Sequence, residues 1–217
     1  MLLHEDFESG TLPEGWKTED LDGDGYTWDP TWLYDYVGAQ GSQPEGHNDS
    51  KGMISSASYI DDVGTLTPKN NLITPRVSGA NKIRFFVKTQ DENSFAEHFA
   101  LYYTKDKDGS QGWEVVPGSE ETLAVGDEWI ERFYDLPEGT EYVSFKHFDC
   151  TDQYWISIDD VTVYGKAVSG IAETTAKDVP AEATGYYDLS GRCIDAPQKG
   201  VYIVKMSDGK NKKVVKK

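Results

Sequence analysis

The stretch Tyr154–Tyr164, YWISIDDVTVY, decides the fold. Side chains alternate across a strand, so Ile156 and Ile158 share one face. Val161 and Val163 join that face only if the phase slips by one residue, and the slip falls on Asp159-Asp160. A one-residue slip in a buried strand marks a bulge. Two adjacent carboxylates at a bulge must be solvated, hydrogen-bonded or metal-bound, because burying a bare charge is prohibitive. The stretch therefore reads as a closing core strand with a candidate cation site at its irregularity.

Working outward, the same period recurs. Ile83, Phe85 and Val87 face one way in Lys82–Thr89, and Lys82, Arg84, Phe86 and Lys88 the other. Phe99, Leu101 and Tyr103 repeat the pattern, as do Val143, Phe145 and His147, which predicts a buried or half-buried His147 ring. Leu2–Glu8 reads as the first strand, with Leu3 and Phe7 as its apolar points, and Trp113–Val116 and Trp129–Tyr134 as shorter strands. DKDGSQG and Pro137-Glu138-Gly139 are turn chemistry, and no amphipathic helix of ten or more residues is visible. Strands separated by polar turns over this length predict an all-β, two-sheet sandwich, for which a jelly roll is a natural topology. The domain is read as residues 1–165. Residues 166–185 read as a linker, and 186–217 as a small β segment with a terminal hairpin.

Charge and cysteine usage narrow the function. The 217 residues carry a net charge of -17, but residues 166–217 carry +4, which leaves -21 on the domain. So acidic a body argues against nucleic-acid binding and is compatible with divalent cations. Cys150 and Cys193 form no disulfide framework and no CxxC pair; each is a candidate free thiol, the alternative being a bridge that joins the body to the tail. No apolar run is long enough to span a membrane, and residues 1–10 show no signal-peptide pattern. The aromatic-rich, cysteine-poor composition leans towards a secreted bacterial surface protein.

Candidate chemistry is sparse. In DLDGDGYTW, Asp20, Asp22 and Asp24 alternate along a Gly-rich turn and resemble the front half of a calcium loop. The later Glu and the flanking helices of an EF-hand are missing. The competing reading is a turn capped by its own side chains. Trp28, Trp32, Tyr34 and Tyr36 cluster as core anchors, as a sugar-stacking platform or as a lid. The histidines His4, His47, His98 and His147 lie in no hydrolase motif, and Glu97 and His98, adjacent in a strand, point to opposite faces. No enzymatic signal is present. Glu8 ends the first strand and Asp159-Asp160 breaks the last, so a calcium ion could join the two where the sandwich closes.

HEDFESGTLPEGWKTEDLDGDGYTW, SASYIDDVGTLTPKNNLITP, TQDENSFAEHFALYYT and HFDCTDQYWISIDDVTVYG resemble, in order, the cleaved-adhesin domain of gingipain-type haemagglutinin and adhesin proteins of Bacteroidales. The resemblance covers roughly Leu2–Gly165. It implies a jelly-roll β-sandwich related in shape to MAM and carbohydrate-binding modules, bound calcium, and a non-catalytic role in adhesion to host protein or glycan. Carried onto this chain, it points to Glu8 and Asp160 as calcium ligands, with Asp6 and Asp159 behind them and Asp22 and Asp24 in the acidic loop. Asp6 and Glu8 would share one side of the first strand. A glycan binder should expose rings, with Trp28, Trp32, Tyr34 and Tyr154 as the candidates; the alternative function is a carbohydrate-binding module for polysaccharide capture. A protein adhesin would instead offer a patch, for which the Gly38–Gly52 loop is a candidate. ATGYYDLSGRCIDAPQKGVYIVKMSDGKNKKVVKK is similar to type IX sorting tails, which implies a secretion machinery as partner and a secreted or outer-surface location.

Overall fold

The computed structural model describes residues 1–30, 45–165, 183–194, 199–206 and 211–216. The chain divides into two compact units, Met1–Val168 and Ser169–Lys217. Neither contains an α-helix among the described residues.

The first unit is a jelly-roll β-sandwich of two sheets. One sheet holds β1 (Leu3–Glu5), β3 (Ile54–Ala57), β7 (Ala80–Thr89), β11 (Ile130–Asp135) and β13 (Trp155–Gly165). Its order is β1-β13-β7-β11, with β3 also on β13. The other sheet holds β2 (Lys17–Asp20), β6 (Asn70–Ile73), β8 (His98–Thr104), β9 (Glu114–Val115), β10 (Glu121–Thr122) and β12 (Tyr142–His147). Its order is β10-β8-β12-β6-β2, with β9 on β8. The short β4 (Tyr59–Ile60) and β5 (Gly64–Thr65) pair with each other.

Strand β13 organises its sheet. One edge pairs with β7 along most of its length. The other edge is shared: β3 covers Trp155–Ile158, and β1 covers Val161–Val163. Asp159 and Asp160 fall in the gap between β3 and β1. There the ladder to β7 shifts register between Asp159 and Thr162, and Asp160 takes a φ of 48°. The predicted phase slip is thus a bulge, and it keeps Ile156, Ile158, Val161 and Val163 all fully buried.

These side chains, with Ile83, Phe85 and Val87, meet Leu72, Phe99, Leu101, Val143 and Phe145 of the facing sheet. Phe85 is the pivot, edge-on to Phe145 at 5.0 Å and to Phe99 at 6.1 Å. Each such buried side chain contributes about 1.5–3 kcal/mol.

One expectation needs correction. The opening strand ends at Glu5, not Glu8. Phe7 takes a φ of 51° so that its ring can drop into the core against Trp16, 5.4 Å away. Asp6 and Glu8 therefore lie beyond the strand, and alternation no longer relates them. Phe86, on the outward phase of β7, is also buried, because His47 stacks on its ring at 3.4 Å.

The second unit is one antiparallel sheet ordered β15-β14-β16-β17, from β14 (Ala183–Tyr187), β15 (Cys193–Ile194), β16 (Gly200–Met206) and β17 (Asn211–Lys216). β14 begins inside the span read as linker. The rest of that span, 166–182, and the hairpin turn at 207–210 lie outside the described residues. Tyr202 and Val204 are buried, and Tyr186 meets Tyr202 edge-on at 6.5 Å.

Candidate functional site

Because Phe99, Leu101 and Tyr103 of β8 and Val143, Phe145 and His147 of β12 point inward, Tyr102, Ser144 and Lys146 point out. The ladder sets Ser144 opposite both Tyr102 and Ile73, and Lys146 opposite both Ala100 and Asn71. A cavity of about 400 Å³ opens on this face, lined by Tyr102, Trp113, Ser144, Lys146, Asn71 and Glu19 among others.

Ser144 forms its floor. It is 2% exposed, and its Oγ is buried with no hydrogen-bond partner among the described residues. Leaving a buried hydroxyl idle costs about 1–3 kcal/mol. Around the floor, the Lys146 ammonium sits 5.2 Å from the Tyr102 ring centre and 4.9 Å from that of Phe148. These are cation–π contacts that hold the charge at the rim. Asn71 Nδ2 donates to Glu19 Oε2 at 2.9 Å. Burial first, then the Glu120 and Asp149 charges, push the Tyr102 phenol up, so it remains a neutral donor. Aromatic faces beside converging donors and acceptors suit a ligand that is apolar on its faces and hydroxylated at its edges.

The predicted rings are placed differently. Trp28 leaves the list of ligand rings: it is 2% exposed, and its Nε1 donates to the Asn70 carbonyl at 3.1 Å. The cause is the neighbouring bridge, in which Asp29 and Ser55 exchange both backbone hydrogen bonds and pin the segment to the sheet. Trp32, Tyr34 and the first part of the Gly38–Gly52 loop lie outside the described residues. Tyr154 is half-buried and lines a second cavity of about 420 Å³ with Tyr59, Asp61, Asp91 and Asp152. Burial first and the Asp61 charge next raise its phenol. Tyr102 and Trp113, which line the first cavity, are not among the rings the sequence singles out. Tyr102 was readable as the outward ring of the β8 alternation, whereas nothing local marks Trp113.

The acidic candidates gather at two places. Three of them, Asp159, Asp160 and Glu8, hold the loop 46–52 in the gap beside β13, and Asp6 caps Glu8. Asp159 Oδ2 accepts from the His47 N–H at 2.8 Å and the Ser50 hydroxyl at 3.2 Å, and Asp159 Oδ1 from the Asp160 N–H at 2.6 Å. Asp160 Oδ2 lies 2.7 Å from His47 Nδ1. At the other end of the loop, Glu8 Oε1 accepts from the N–H groups of Lys51 and Gly52, and Asp6 Oδ1 from that of Glu8. A Cβ on Gly52 would lie 2.5 Å from the Asp6 carbonyl oxygen, so only glycine lets the loop approach this closely. Asp159 is 1% exposed, and burial pushes its carboxyl up to about 7.

The second group is Asp20, Asp22 and Asp24, whose ligand oxygens lie within 4.8 Å of one another. Each accepts backbone N–H groups: Gly23 and Gly25 on Asp20, Asp24 and Lys69 on Asp22, and Tyr26 on Asp24. The N–H groups of Gly25 and Gly23 hold the Asp20 carboxyl below the usual range.

Comparison with known proteins fits this architecture. The cleaved adhesin domain family matches residues 1–163. Hemagglutinin A of Porphyromonas gingivalis is 37% identical over 217 residues, covering 86% of this chain and 8% of its own length. Lys-gingipain W83 of the same organism is 38% identical over 218 residues, covering 86% of this chain and 12% of its own length. The chain thus spans about a tenth of the length of these relatives. Among solved structures, the K1 cleaved adhesin domain of Lys-gingipain aligns at 35% identity with a TM-score of 0.64, covering 75% of this chain and 97% of that one. The K3 domain aligns at 39% identity with a TM-score of 0.62, covering 75% and 98%. The chain belongs to the cleaved adhesin domain family.

Proposed function

We propose that this chain is a secreted or surface-displayed, non-catalytic adhesin module that binds glycan in the groove over β8 and β12. The carrying observation is Ser144: a buried hydroxyl with no partner among the described residues, at the bottom of a cavity flanked by Tyr102 and Trp113. The Oγ is covered in this structure, so a ligand hydroxyl would bond it by displacing the side chains over it, and would then recover the desolvation already spent in folding. The relative named Hemagglutinin A is in keeping with a cell-surface ligand. The test is a glycan array followed by calorimetry on the hits. Tyr102→Ala and Trp113→Ala should each weaken binding at least tenfold while leaving the fold intact. Binding of host protein in place of glycan, or glycan binding insensitive to both substitutions, would displace the groove reading.

Calcium is the proposed structural ion. The donors at the β13 gap are hard oxygens, which suits it. Both Asp159 oxygens are engaged by N–H and O–H donors, so Asp159 shapes the loop. Glu8 Oε2, Asp160 Oδ1 and Asp6 Oδ2 accept no hydrogen bond from the described residues, and we propose these three side chains as ligands, which the ion would have to draw together because they do not form a group within 4.8 Å as Asp20, Asp22 and Asp24 do. The Asp20–Asp24 loop is the second candidate, and a calcium titration would read one ion or two. Chelation should lower the thermal midpoint, since a ligand at a hundredfold its Kd stabilises by about 2.7 kcal/mol. An unchanged midpoint in chelator would remove calcium from the account. The second unit is proposed to serve export through a type IX sorting machinery; fusion of residues 166–217 to a reporter tests for secretion.

A further inference from the structure

Glu97, His147 and Cys150 turn their ligand atoms towards one another, and we propose that they bind a zinc-class transition-metal ion, with one coordination position open to solvent. Neither the groove nor the calcium seam uses this cluster. His147 Nε2 lies 2.9 Å from Glu97 Oε2 and 3.1 Å from Cys150 Sγ, and all three ligand atoms fall within 4.8 Å. Glu97 and His147 are fully buried, while Cys150 is partly exposed and gives the ion its way in. Imidazole, thiolate and carboxylate are the ligand types of zinc, and the soft thiolate disfavours calcium or magnesium. Zinc bonds of about 2.0–2.3 Å in a tetrahedron need ligand atoms about 3.4–3.6 Å apart, so each contact would open by about 0.5 Å.

The surroundings hold the ligands in place. Ser56 Oγ lies 2.9 Å from His147 Nδ1, and Asn70 Nδ2 donates to Ser56 Oγ at 3.0 Å. The Ser58 hydroxyl and the Tyr154 N–H donate to Glu97 Oε1 at 2.9 and 3.0 Å, which leaves Oε2 for a metal. Such outer bonds fix the ring and carboxylate of metal-bound His and Glu.

The hydrogen-bond chain behind His147 is compatible with a metal on Nε2. Asn70 Oδ1 is buried with no partner among the described residues. A metal on Nε2 would place the imidazole proton on Nδ1, where it donates to Ser56 Oγ. The Ser56 hydrogen then needs an acceptor, and a half-turn of the Asn70 amide supplies Oδ1 while moving Nδ2 to the unpartnered side. The step balances: the thiol proton leaves to solvent, the metal-bound imidazole holds its proton on Nδ1, and any further imidazole proton leaves to solvent with it.

Cobalt titration of the full chain in a Cys193→Ser background tests the site. One equivalent should give a thiolate-to-cobalt charge-transfer band that excess calcium leaves and zinc removes, and zinc should raise the thermal midpoint. Cys150→Ser, at a partly exposed position, should stay folded and lose the band. Glu97→Gln should weaken cobalt binding at least tenfold. Absence of the band at one equivalent, or its survival in Cys150→Ser, overturns the proposal.

Discussion

Replacing Ser144 by Ala separates a structural serine from a binding one. A serine kept for stability loses stability on truncation. Ser144 should do the reverse, because its Oγ is buried under the groove with no partner among the described residues. An unsatisfied buried hydroxyl costs about 1–3 kcal/mol, and deleting it leaves only an atom-sized void, so the net gain should be about 1 kcal/mol. For a domain of this size that corresponds to a rise of about 2–4 °C in Tm. Binding should move the opposite way. A neutral hydrogen bond is worth about 0.5–1.5 kcal/mol net, so glycan affinity should fall by about 2- to 10-fold. The assays are urea denaturation of the free variant and calorimetry with a glycan bound by the parent. A loss of stability, or an unchanged affinity, would show that the hydroxyl has a partner within the fold or plays no part in recognition.

Trp28→Ala should cost about 3–5 kcal/mol in urea denaturation, because a buried ring and its bond to the Asn70 carbonyl are both lost; a cost below about 1 kcal/mol would return Trp28 to the surface. With calcium chelated, stability should rise as pH falls from 8 towards 5. Burial lifts the Asp159 carboxyl from 3.8 to about 7, so the folded form holds that proton more tightly; the benefit is complete below the unfolded pKa and lost as pH rises through 7. Asp159→Asn should flatten this slope, and a slope of opposite sign in the parent would refute the placement. In metal-free protein at pH 8, iodoacetamide should label exposed Cys193 quickly and Cys150 slowly, since burial and then the Glu97 charge push the Cys150 thiol well up. Equal labelling by mass spectrometry would contradict that environment.

What could be read without coordinates, and what could not, divides along one physical line. Alternation reports which way a side chain leaves a strand, so β13, its bulge and the inward faces of β7, β8 and β12 were legible. Alternation does not report what lies over the other face. Phe86 was rightly assigned to the outward phase and is nonetheless buried, because a loop 39 residues earlier in the chain lays His47 on it. The same limit hid the Glu97–His147 contact. Glu97 and His98 do point apart, but the segment entering β8 carries Glu97 to a histidine 50 residues later. The extension of the first strand through Asp6 and Glu8 failed for a local reason: a Phe at positive φ is uncommon enough that no reading of the chain would end the strand there. Burial of the Phe7 ring offsets that backbone cost. Tyr102 is legible as the outward ring of β8, whereas the dense aromatics at 28–36 begin with a ring that is core. Ring density along the chain measures apolar content, whereas ligand contact needs a ring on the solvent phase of a paired strand, next to a polar group that the fold leaves unsatisfied. Tyr102 beside Ser144 meets both conditions, and Trp28 meets neither.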